Sequence, residues 1–114
     1  MLQGLRRRAA RAGLSDRIEA RRCGADTLSI SDLEGKLDFA LLFNVAHEFP
    51  RSSNFLGEIV GALKQGGLVL LCEPEGHVSA SSFDATLARA KDAGLEIEAR
   101  PGISGERCAL LRRA

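Results

Sequence analysis

The spacing of apolar positions changes repeatedly along the chain, and each change marks an element. Leu2, Leu5, Ala9 and Ala12 fall on one helical stripe, with Arg6, Arg7, Arg8 and Arg11 on or beside the other faces. Gly13 can adopt the left-handed conformation that ends such a helix. Arg17 to Arg22 alternates in the manner of a strand, closing at Cys23 and Gly24. Leu37 to Phe43, reading LDFALLF, is nearly continuous in apolar residues. Runs of this kind belong to strands buried on both faces of a parallel sheet.

The second half repeats the grammar. Pro50 to Ser53 breaks the chain, and Ser52 or Ser53 can cap a helix carrying Leu56, Ile59, Val60 and Leu63. Gln65-Gly66-Gly67 stops that helix, and Leu68 to Glu73 (LVLLCE) is a second buried strand. Ser79 to Ala93 predicts a helix with Phe83, Leu87 and Ala90 inward, Asp84 near its start and Lys91 near its end. Gly94 closes it. Leu95 to Arg100 and Glu106 to Arg113 are strand-like, and the turn-forming Pro101 to Gly105 between them predicts an antiparallel hairpin. Strands alternating with helices imply an α/β fold, a mostly parallel sheet with helices on both faces. The 114 residues contain no repeat and no Pro- or Ser-rich linker, so residues 1–114 read as a single domain.

Composition narrows the class without naming a chemistry. No stretch approaches the length of apolar residues a membrane span needs, so no membrane partner is expected. The opening residues lack the apolar core and cleavage site of a secretory signal. Three scattered cysteines fit a reducing cytoplasm better than a disulfide framework. The formal net charge of +1 argues against polyanion binding by bulk charge. Positive charge is nevertheless concentrated in residues 1–22, where seven arginines face only Asp16 and Glu19. A basic helix can follow RNA, but a solvated cationic face is the simpler reading, and the chain has no Tyr or Trp for base stacking.

In open parallel sheets, ligands bind beyond the carboxyl ends of the strands. That rule selects Cys23-Gly24-Ala25-Asp26, then Asn44-Val45-Ala46-His47-Glu48, then Glu73-Pro74-Glu75-Gly76-His77. Both histidines of the chain lie in these segments. Each residue has a plainer use: Asp26 as a turn cap, Asn44 bonding its own loop, His47-Glu48 as a solvated pair, Glu73 and Glu75 as loop charges. The spacing offers no metal set, and Cys72 and Cys108 fall inside strands as small core residues. No Gly-x-Ser-x-Gly elbow or phosphate loop is present.

Three stretches together carry a family resemblance. GKLDFALLFNVAHEFP, FLGEIVGALKQGGLVLLCEPEGHVSASSF and AKDAGLEIEARP resemble the carboxyl-terminal part of class I S-adenosylmethionine-dependent methyltransferases. Asp38 stands where the family's fourth strand opens with an aspartate. Leu63-Lys64-Gln65-Gly66-Gly67 matches the turn before the fifth strand, with Gln in place of Pro, and Ala93-Gly94-Leu95 matches the approach to the sixth. The opening, MLQGLRRRAARAGLSDRIEARRCGADTL, resembles the helix and strand after the family's second strand, which puts Met1 at an internal family position. The first strand, its glycine-rich cofactor loop and the ribose-binding acid have no counterpart.

The resemblance implies a Rossmann-like sheet lacking the family's first two strands, and S-adenosyl-L-methionine as cofactor. Gly24, Ala25 and Asp26 would lie against its adenine, with Asp26 taking the exocyclic amine, while Asn44 and Val45 would border it on the other side. His47 and Glu48 would face the methyl acceptor as the catalytic pair, with His77 at the rim. A small-molecule acceptor is preferred over nucleic acid, because no appended recognition segment is visible. A base such as His47 matters when the acceptor must lose a proton. LDFALLF, without its family neighbour, would become an apolar sheet edge that invites pairing. Either Arg17–Arg22 moves beside it, or two chains meet there as a homodimer. The alternative to an enzyme is a noncatalytic module that keeps the sheet and binds a protein partner, or itself, through that edge.

Overall fold

The computed structural model describes residues 2–50 and 53–114. Helix α1 spans Leu2–Arg11, with Ala9 buried and Gly13 in the left-handed region at φ 72°. Strand β1 is Leu37–Phe43, helix α2 Phe55–Ala62, strand β2 Leu63–Pro74, helix α3 Ala80–Asp92, strand β3 Leu95–Ala99 and strand β4 Glu106–Arg113. Met1 and Ser52, on which a family position and a helix cap were expected, lie outside the described residues.

The sheet has the order β1-β2-β4-β3. β1 and β2 run parallel, and β4 pairs antiparallel with both β2 and β3. The carboxyl-terminal hairpin is therefore as expected, and the fold is α/β and Rossmann-like. With one parallel ladder present, the sheet is mixed. The core lies on one face, where Leu42, Val69, Leu71, Ala109 and Leu111 meet Ile59 and Val60 of α2 and Phe83, Leu87 and Ala90 of α3. Both helices pack on that face. The opposite face was expected to be covered as well, yet Phe39, Leu41 and Phe43 on β1 are 49%, 57% and 47% exposed. α1 does not reach them; Ala9, with Leu5 and Arg6, instead lines a small hollow with Ser15, Ile18 and Ala20.

Arg17–Arg22 does not form the expected strand. It is irregular, its residues exposed or half-buried, and no strand adjoins the outer edge of β1 among the described residues. An alternating hexapeptide needs a neighbour to accept its backbone groups, and none is present; Arg21 is held instead by Glu19 and Asp32 (2.5 and 2.7 Å). Those contacts hold the Asp32 carboxyl below its ordinary range, the Arg21 hydrogen bond being the main cause.

Two boundaries also differ. α2 ends at Ala62, and Leu63, expected on the helix, is the fully buried first residue of β2. Lys64 to Gly67 forms a bulge: Leu37 pairs with Leu63 and Phe39 with Leu68, so four residues of β2 loop out opposite Asp38. Gly66 takes φ 80° there, and a Cβ on Gly67 would sit 2.9 Å from the Lys64 carbonyl. α2 starts after Asn54 rather than on a serine cap. α3 is as expected, with the Ser79 hydroxyl accepting from the Ser82 N–H at 3.1 Å and Gly94 at φ 108° beyond its end. No described helix is long and apolar enough to cross a membrane.

Candidate functional site

The site is built where β1 and β2 end. Asn44 follows β1 with φ 59°, a left-handed conformation that asparagine tolerates better than most residues. Its N–H donates to the Cys72 carbonyl at 2.8 Å, which keeps the chain against β2 as it turns. Half-buried Val45 then leads into a single 3-10 turn, Ala46–Glu48. This turn lies against the end of β2 because of one side chain, Glu73. The Ala46 N–H donates to Glu73 Oε1 at 2.9 Å, and His47 Nδ1 lies 2.5 Å from Glu73 Oε2.

Glu73 is 1% exposed. A buried carboxylate is costly unless its lone pairs are used, and here a backbone amide and an imidazole use both oxygens. An ionised carboxylate only accepts, so the Nδ1 position carries the hydrogen and Nε2 of the neutral ring keeps its lone pair. The His47 side chain is 24% exposed, and His77 meets it edge-on with centroids 5.0 Å apart. Glu48 is far more open, 72% exposed, with its carboxylate 4.0 Å from His47 Nε2. His47, Glu73 and His77 line an open cleft of about 660 Å³, continued by Phe49, Thr86 and Arg89. Phe49, Thr86 and Arg89 also wall a neighbouring groove of about 270 Å³, into which Phe55 packs. Phe49 and Phe55 meet edge-on at 5.0 Å.

His47 and His77 thus line one cleft, while Glu48, 4.0 Å from His47 Nε2, is not among its lining residues. Glu73 was read as a loop charge; it is the buried group that orients His47. Its signal lay in the sequence: a carboxylate closing a continuous apolar strand, at the end where ligands bind.

The residues expected around the cofactor are not gathered in the same way. Gly24, Ala25 and Asp26 form an exposed turn in which the Gly24 N–H donates to the Thr27 carbonyl at 3.0 Å. The chain just beyond is tied to α2, where Glu58 accepts from Thr27 Oγ1 at 2.5 Å and from the Leu28 N–H at 3.2 Å. None of Gly24, Ala25, Asp26, Asn44 and Val45 lines either cavity. A Cβ on Gly24 would meet nothing nearer than 3.8 Å, so this glycine serves no close approach. The described residues therefore build an open cleft beside an oriented histidine, and the turn from Gly24 to Asp26 lies outside it.

Comparison with known proteins gives the family and the fold. The profile of a family described as a methyltransferase domain matches residues 1–71. A S-adenosylmethionine-dependent methyltransferase from Aquifex aeolicus superposes with a TM-score of 0.75 at 12% identity, over 97% of this chain and 62% of that one. Mitomycin 7-O-methyltransferase MmcR superposes with a TM-score of 0.72 at 20% identity, over 99% of this chain and 39% of its own. The chain thus spans under two thirds of the length of either structure. No curated protein sequence shows significant similarity to it.

Proposed function

The chain belongs to the methyltransferase domain family, and from that premise we propose that it provides the acceptor side of a site for S-adenosylmethionine-dependent methyl transfer to a small molecule. The observation that carries this reading is the Glu73–His47 contact, which orients, through Nδ1, an imidazole that lines an open cleft. A protic acceptor bound there would give its proton to Nε2 as it becomes a nucleophile. Positioned general bases contribute roughly 10²- to 10⁴-fold. Glu73 is a positioning residue: it holds ring orientation and tautomer without touching the acceptor. Glu48, exposed and 4.0 Å from His47 Nε2, would bias the approach of cationic groups. S-adenosylmethionine supplies an already activated methyl group, so the protein's share is alignment and proton removal. Asp26, Asn44 and Val45 would border the cofactor once a further wall is supplied.

The test is calorimetric titration of the chain and of His47→Gln with S-adenosylhomocysteine. Transfer of labelled methyl to a panel of small phenols and hydroxy acids is measured alongside. Where the further wall is supplied, both proteins are expected to bind alike, with His47→Gln losing on the order of 10²-fold in turnover. Equal turnover by the chain and the variant overturns the reading.

A further inference from the structure

The polar groups along the cleft differ in how much of their bonding capacity is already spent. Glu73 is buried and committed, one oxygen to the Ala46 N–H and the other to His47. His47 is committed at Nδ1 by the same contact. Arg89 stands on the wall that α3 contributes. Ser82, Ala85, Thr86 and Arg89 follow at helical spacing and present one face of α3 to the cleft. The Thr86 hydroxyl donates to the Ser82 carbonyl at 3.2 Å and accepts from Arg89 Nη2 at 3.3 Å. That contact lays the guanidinium along the wall and leaves most of its donors unspent. Among the described residues no carboxylate lies within ion-pair distance of Arg89. Asp92, one turn on, lines the neighbouring groove but not the cleft. Glu48 lies outside the lining, so its charge does not offset Arg89 there.

Resting on the methyl-transfer reading, we propose that the acceptor is a hydroxyaryl carboxylate whose carboxylate pairs with Arg89. A guanidinium presents coplanar N–H donors that match both oxygens of a carboxylate, a fit that a point charge does not reproduce. Phe49, Val78 and Ala85 give the same cleft an apolar wall. An aryl ring suits that wall, because rings pack against one another edge-on or offset and against aliphatic groups by simple burial. The cleft volume of about 660 Å³ is of the size that takes a small molecule. With its carboxylate held at α3, the molecule has its hydroxyl left for the part of the lining supplied by His47 and His77. Fixing the acceptor by a charged group away from the reacting oxygen is what aligns it with a methyl donor. An uncharged phenol offers nothing to set against Arg89 and gains no such alignment.

The experiment is calorimetric titration of the chain with para-hydroxybenzoate and with its methyl ester, at low salt, where an exposed ion pair is least screened. Arg89→Gln and Arg89→Lys are titrated alongside, with circular dichroism to confirm that each is folded. The acid is expected to bind about tenfold more tightly than the ester. In Arg89→Gln that preference should vanish through loss of acid binding alone, and Arg89→Lys should recover part of it. The ring signals of His47 and His77 should shift during the titration, since both line the cleft. A folded chain that binds acid and ester alike, or binds neither, would overturn the proposal. So would a preference that survives Arg89→Gln, or binding that leaves both histidine rings unmoved. The methyl-transfer reading fails separately. Acid that binds through Arg89 and takes no methyl sinks that reading and leaves the carboxylate site standing, whereas methyl transfer to the ester as efficient as to the acid sinks the Arg89 pairing alone.

Discussion

Glu73→Gln isolates the one buried polar contact on which the candidate site turns. The substitution keeps the shape of the side chain, and its amide oxygen can still accept from the Ala46 N–H, now 2.9 Å from Oε1. What it cannot keep is the pairing with His47 Nδ1 at 2.5 Å, because an amide NH₂ now faces a ring N–H. The ring must shed the clash by moving its hydrogen to Nε2, so that Nδ1 accepts from the amide. A charge-assisted hydrogen bond is worth about 1.5–3 kcal/mol, and here both groups are largely shielded from water. With a urea slope of about 2 kcal/mol/M for a chain of this size, the unfolding midpoint should fall by about 1 M. The decisive readout is long-range proton–nitrogen correlation at the His47 ring. Wild type should show the Nδ1–H tautomer and the variant Nε2–H, with a loss of any turnover that depends on Nε2 as base. An unchanged midpoint together with an unchanged tautomer would refute the argument that Glu73 orients this histidine.

Further expectations concern the sheet, its bulge and helix α2. Burial, reinforced by its hydrogen bond with Cys108, pushes the Cys72 thiol from its ordinary 9.0 up to about 12. The folded state therefore holds that proton longer than the unfolded chain does. Its contribution to stability is complete below pH 9 and is lost as pH rises toward 12, measurable as a falling urea midpoint in alkali. At pH 8 iodoacetamide should modify exposed Cys23 rapidly and leave Cys72 untouched until unfolding. Gly67→Ala should destabilise by about 1 kcal/mol or more, since its Cβ would press on the Lys64 carbonyl at 2.9 Å. Gly61→Ala, on α2 with nothing within 4 Å, should stabilise by about 0.5–1 kcal/mol. Thermal unfolding of the pair checks both signs.

Much of the fold is legible in residue periodicity. α3 shows its helical face, its serine cap and its terminal glycine in the sequence, and β4 begins and ends where the pattern predicts. These elements complete themselves through local caps and a hairpin partner only a few residues away. Arg17–Arg22 shows why alternation alone is insufficient. A strand is a property of a pair, and this segment has no partner to satisfy it. The Lys64–Gly67 bulge was invisible for a related reason, since it is a mismatch in register between β1 and β2 rather than a property of either. In the site, the place of His47 and Glu48 after a strand is what singles them out in the sequence. The role of Glu73 depends on which way a strand residue points at the sheet's end, and the neighbouring Pro74 made it resemble a loop charge.

Asn44 joins β1 to the loop that carries the candidate site. In an open α/β sheet the ligand crevice lies where strands diverge, and it needs loops from strands on both sides of that point. Among the described residues β1 has β2 on one side only, and the loop from Asn44 to Glu48 has its wall toward Glu73 and His77. Ala46 and His47 are bonded and oriented because β2 supplies Glu73. Gly24, Ala25 and Asp26 are exposed and line neither cavity. Whatever pairs with β1 covers Phe39, Leu41 and Phe43 and flanks Asn44 in a single event. Cofactor binding and edge pairing should then be coupled: S-adenosylhomocysteine that binds only the paired form would tighten the pairing by the same factor by which pairing tightens it. Ligand affinity that is the same whether or not a strand pairs with β1 would separate the two.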